Sequence, residues 1–159
     1  MKIVLLDLNY TLVENSQVHD LPLIYHVHLE RYRQWLVDMV KPYYVILYTV
    51  RPKHLEKETL HHLGILTGWQ PQESIFNDKR ANAKTFKRHA LENIIFPKHG
   101  TDPSRYFAIE SNEEVHRLLK EHKIRYARQS ELTVAGIPWA VESSEPVEPV
   151  NPMTQLCLF

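Results

Sequence analysis

Four consecutive apolar residues, Ile3-Val4-Leu5-Leu6, run straight into Asp7-Leu8-Asn9-Tyr10-Thr11. A segment that is apolar at every position suits a strand covered on both faces, as in parallel sheets, better than a half-exposed strand of alternating character. In open α/β sheets the ligand crevice lies beyond the carboxyl ends of the strands, where Asp7 and Asn9 would project. Asp7 is therefore a candidate nucleophile.

The rest of the chain alternates in the same sense. Tyr43–Tyr48, Ser74–Phe76, Tyr106–Ile109 and Ile124–Ala127 read as further short apolar strands. Between them, 29–40, 52–63, 81–93 and 112–121 carry helical periodicity, with Gly64 placed to end the second helix. This order predicts an α/β fold: a Rossmann-like parallel sheet of about five strands with helices on both faces.

A chain of 159 residues with 43% hydrophobic content suits one domain with a full core. The single cysteine, Cys157, excludes an internal disulfide framework. No basic-then-apolar leader and no apolar run of membrane-spanning length is present, so the expected compartment is the cytoplasm. The zero net charge hides an asymmetry. Residues 140–159 hold Glu142, Glu145 and Glu148 and no base, which leaves 19 basic against 16 acidic residues in 1–139. That mild excess is compatible with phosphate-bearing partners and does not demand them.

Polar groups gather at the predicted strand ends: Asp7, Asn9 and Thr11 after the first, Thr49 and Arg51 after the second, Glu110 and Ser111 after the fourth. Lys84 follows on the helix after the third. A carboxylate, a hydroxyl, an ammonium and a second acid brought together this way can form a phosphate site.

In order and spacing these stretches resemble the haloacid dehalogenase superfamily, whose members are mostly phosphatases. Asp7-Leu8-Asn9-Tyr10-Thr11 matches the Asp-x-Asp-x-Thr motif except at Asn9. Val45-Ile46-Leu47-Tyr48-Thr49 matches the second motif, and Lys84 the basic third, with Lys79 as a second candidate. Glu110-Ser111-Asn112-Glu113-Glu114 stands at the acidic fourth. The last two motifs look most like the phosphatase domain of polynucleotide kinase-phosphatases. The resemblance covers roughly residues 1–130, and the expected boundaries are a haloacid-dehalogenase-like domain over 1–139, an acidic Pro-rich linker over 140–154 and a terminal peptide over 155–159.

The resemblance implies an aspartyl-phosphate on Asp7, phosphate contacts from Thr11, Thr49, Arg51 and Lys84, and Mg2+ held by Asp7, Asn9, Glu110 and Ser111. Two departures weaken that expectation. Asn9 replaces the aspartate that protonates the leaving group and activates water, a role worth ~10²–10⁴ in rate. Ser111 removes a carboxylate from a hard-cation site, which Glu110 or Glu114 would have to replace. The reading is a degenerate, slow magnesium phosphohydrolase acting on a nucleic-acid or nucleotide phosphate; the alternative is a catalytically inactive phosphate-binding or adaptor protein associated with the replication sliding clamp.

About 37 residues separate Thr11 from Thr49, and about 34 separate Thr49 from Lys84, too few for a substantial cap. An open site suits a macromolecular phosphate and argues against dehalogenation, which needs a dry pocket. The pairs His26/His28 and His61/His62 lack zinc spacing, and Tyr25, Tyr32 and Trp35 are expected to pack in the core. The last five residues, Gln155-Leu156-Cys157-Leu158-Phe159, closely resemble the Gln-Leu-x-Leu-Phe peptide that docks on bacterial sliding clamps. The resemblance makes Gln155, Leu156, Leu158 and Phe159 candidate partner contacts.

Overall fold

A computed structural model of the chain describes residues 1–16 and 23–139. Five parallel strands form one sheet: β1 (Ile3–Leu6), β2 (Tyr44–Pro52), β3 (Glu73–Asn77), β4 (Tyr106–Ile109) and β5 (Arg125–Ala127), in spatial order β3-β2-β1-β4-β5. The order reverses beside β1, so a crevice opens at its carboxyl end. Together with α1 (Leu23–Leu29), α2 (Gln34–Val40), α3 (Glu56–Thr67), α4 (Ala83–His89), α5 (Phe96–His99) and α6 (Glu113–Glu121), this is an α/β fold of the Rossmann-like, haloacid-dehalogenase-like shape.

β1 is buried at all four positions because both faces are covered. Val4 and Leu6 join Leu36, Val37, Val40 and Leu63 on one side, while Ile3 and Leu5 join Leu91, Ile95, Val115 and Leu119 on the other. The two-residue period of a strand divides these sets, and it also decides where each polar side chain beyond the strand end will point. Among the described residues no helix is long and apolar enough to cross a membrane.

Three expected helices differ, and the second strand, expected to end at Tyr48, runs on through Thr49 and Arg51 to Pro52. The helix expected over 29–40 is two helices. Between them the backbone pairs with the segment after β1, through Glu14 N–H to Arg31 O (2.8 Å), Arg33 N–H to Leu12 O (2.9 Å) and a Val13–Tyr32 bridge. Periodicity does not carry across that break, so Tyr32 is buried while Tyr25 and Trp35, expected in the core, are exposed. The second helix runs past Gly64 and ends at Gly68, whose left-handed φ of 68° suits glycine. At Gly64 a Cβ would lie 3.1 Å from the amide nitrogen of the exposed Gln70 side chain, which can give way. The helix expected over 81–93 starts at α4, widens over Ala90–Ile95 and continues into α5.

Candidate functional site

Leu6 pairs with Leu47 on one side and Ile109 on the other. One residue further on, Asp7, Tyr48 and Glu110 are level, and strand alternation turns all three toward the side of α4 and α6. Lys87 on α4 meets them there, fully buried. Its ammonium donates to Asp7 Oδ1 (2.8 Å) and Glu110 Oε2 (2.5 Å), and lies 4.3 Å from the Tyr48 ring centroid. Such a cation over an aromatic face is attracted by the ring quadrupole.

The other Asp7 oxygen is equally engaged. Oδ2 accepts from the hydroxyls of Thr11 (2.9 Å) and Ser111 (2.9 Å), and Ser111 Oγ also lies 3.3 Å from the Asn9 carbonyl oxygen. Glu110 Oε1 accepts from the backbone N–H groups of Ser111 and Asn112, at 3.1 Å each. Asn112 caps α6 by accepting from the N–H groups of Glu114 and Val115.

On the opposite face, Arg51 leaves β2 at an irregular register between Thr49 and Pro52. It is 2% exposed, and forms a two-pronged pair with Glu30 (2.7 and 2.5 Å). It also donates to Thr59 Oγ1 (3.0 Å) and, through Nη2, to Asn9 Oδ1 (2.9 Å). The Thr49 hydroxyl oxygen accepts the Arg51 backbone N–H at 3.1 Å. Arg51 thus spans from the β1 loop to the segment between α1 and α2.

Burial pushes the Glu110 carboxyl up, Lys87 draws it down and Asp7 pushes it up again, leaving it at about 7. For Lys87, burial lowers the pKa, but the Asp7 and Glu110 carboxylates outweigh it and hold the ammonium charged. Burial, followed by the charges of Glu110 and Asp7, pushes the Tyr48 phenol well up.

The lysine that meets Asp7 is Lys87, not the expected Lys84. Lys84 stands on the first turn of α4 and acts on Glu121, whose carboxyl is lowered chiefly by an Arg88 hydrogen bond and further by Lys84. Lys79 is exposed. Thr11 and Ser111 reach Asp7, and Glu110 joins them through Lys87. Arg51 reaches Asn9 but is held by Glu30 and Thr59, and the Thr49 hydroxyl accepts from the Arg51 backbone N–H. Glu114 is exposed and provides only a backbone contact to the cap. Gln155, Leu156, Leu158 and Phe159 lie outside the described residues.

Sequence reasoning missed Lys87, Glu30 and Thr59. Lys87 had a legible signal: it shares the face of Ala83, Ala90 and Leu91, and a lysine in a buried helical stripe needs a buried acid. Glu30 had none, because its position read as the first turn of a helix, where an acid is ordinary.

As a cation site the cluster is poor. Among the described residues no group of three His, Cys, Asp or Glu side chains is placed to hold a metal. Asp7 Oδ2 and the Asn9 carbonyl converge, but the Ser111 hydroxyl stands between them, and Glu110 is turned to Lys87 and two backbone donors. A hard divalent cation seeks more oxygen charge than one carboxylate supplies.

In comparison with known proteins, no family model matches the chain, and neither a curated protein nor a solved structure matches it.

Proposed function

We propose that this chain is a catalytically silent domain of haloacid-dehalogenase-like shape, serving as an adaptor that its C-terminal peptide brings to a replication sliding clamp. One observation supports the silent half of this reading: the buried charged groups gathered around Asp7 and Asn9 already have internal partners. Lys87 is shared by Asp7 and Glu110, and Arg51 is held by Glu30. These five groups comprise three acids and two bases, so they offer an entering phosphate dianion no spare positive charge. Freeing Lys87 or Arg51 for it would break a buried pair, at about 3–5 kcal/mol. Asn9 supplies neither an acid for the leaving group nor a base for water, and its amide oxygen is bonded to Arg51.

A second reading is supported by the contact of Asp7 with a lysine and two hydroxyls. In it the chain is a slow phosphohydrolase of nucleic-acid or nucleotide phosphates, retarded ~10²–10⁴-fold by Asn9 and dependent on weakly held Mg2+.

Phosphate release from a generic aryl phosphate and from end-phosphorylated oligonucleotides, with Mg2+, separates the two. The silent reading expects none. Magnesium-dependent release that disappears in Asp7→Ala would establish the slow enzyme. For the adaptor half, a pull-down with a bacterial sliding clamp should retain the full chain and lose a chain ending at Thr154; equal retention of both would remove the clamp from the account.

A further inference from the structure

Away from the crevice, a groove of about 620 Å³ runs between α2 and the segment 129–136, within the range of small-ligand sites. Trp35, Met39, Leu132 and Val134 line it, together with Gln129, Ser130, Thr133 and Gly136. Trp35 is 44% exposed and Val134 fully so. Single exposed apolar residues are ordinary, but a tryptophan, a methionine, a leucine and a valine around one concavity form a site that water wets poorly.

We propose that the occupant is this chain's own C-terminus: the Leu156, Leu158 and Phe159 side chains dock in the Trp35–Val134 groove of the same molecule. Length and starting point favour that segment. The chain passes from Gly136 on the groove to Ala140 in four residues, at most about 14 Å of backbone. Fifteen residues, 140–154, then precede the apolar peptide. A coil of that many residues has an end-to-end distance on the order of 20 Å, enough to return to the groove. Charge favours the return as well, because residues 140–159 carry three acids and no base while residues 1–139 carry 19 bases and 16 acids.

A tether of this length holds the peptide near ~1 mM at the groove, so weak contacts suffice for occupancy. Docking would withhold the same apolar side chains from any external partner. The proposal does not require that partner to be a clamp.

The test compares methyl NMR spectra of the full chain and a chain ending at Thr154. The Met39 and Val134 methyl signals should shift on truncation, by an amount independent of protein concentration. Synthetic peptide Gln155–Phe159, added at millimolar excess, should restore them. In the full chain, Val134→Glu should move the Met39 signal to its truncated position; this side chain is wholly exposed, so its change leaves the core untouched. Identical spectra for the two chains would overturn the proposal. So would shifts that grow with protein concentration, which would make a second copy the donor, or a Met39 signal indifferent to Val134→Glu.

Discussion

Lys87 differs from Lys84 by three positions, yet the two should behave as different kinds of residue. Lys87→Met would leave Asp7 and Glu110 adjacent and buried without their shared cation, a change that typically costs about 3–5 kcal/mol. Lys84→Met, away from that cluster, should stay within about 0.5 kcal/mol, and urea unfolding of the two variants measures the contrast. Glu110 offers a second residue-scale check. Its carboxyl, at about 7 in the folded chain, should titrate there in carboxyl-carbon NMR. Asp7→Asn should lower that value and Lys87→Met should raise it, because Asp7 pushes it up and Lys87 pulls it down. The sign for stability follows. A carboxyl whose folded pKa exceeds its ordinary 4.5 favours the fold most below 4.5, and loses that contribution as pH rises through about 7. Relative to Glu110→Gln, the wild-type unfolding midpoint should fall across that interval.

Among the elements, the strands were the most legible and the region between β1 and β2 the least. β1 and β4 could be placed to the residue because buried parallel strands are continuously apolar, and turn or cap residues bound them. The expected 29–40 helix failed because its periodicity looked unbroken, while the competing backbone pairs with Leu12 and Glu14 are long-range and leave no local trace. The site divided along the same line. Asp7, Thr11, Glu110 and Ser111 were readable from strand ends, whereas the Arg51–Glu30 pair depends on that hidden break. Two predictions belong here. Asn112→Ala removes the cap of α6 and should destabilise the chain by about 1 kcal/mol in thermal or urea unfolding. Glu30→Gln leaves the Arg51 guanidinium buried without its carboxylate, a loss of about 3–5 kcal/mol. A double-mutant cycle with Arg51→Met should recover much of it; additive losses would show that the pair is not coupled.

At the scale of the whole molecule, the parallel sheet presents its strand ends to one crevice, and this chain fills that crevice with its own side chains. The Ser111 hydroxyl stands against Asp7 Oδ2 and the Asn9 carbonyl, Lys87 joins two acids, and Arg51 covers Asn9. On the proposed reading, a pocket so satisfied gains little from binding an anion, and Asn9 offers no titrating group where an aspartate was expected. The most direct measurement is intact-protein mass spectrometry after incubation with Mg2+ and acetyl phosphate, quenched in acid to preserve any acyl phosphate. The account predicts an unmodified mass. A gain of one phosphoryl group in the wild type, absent from Asp7→Ala, would contradict it.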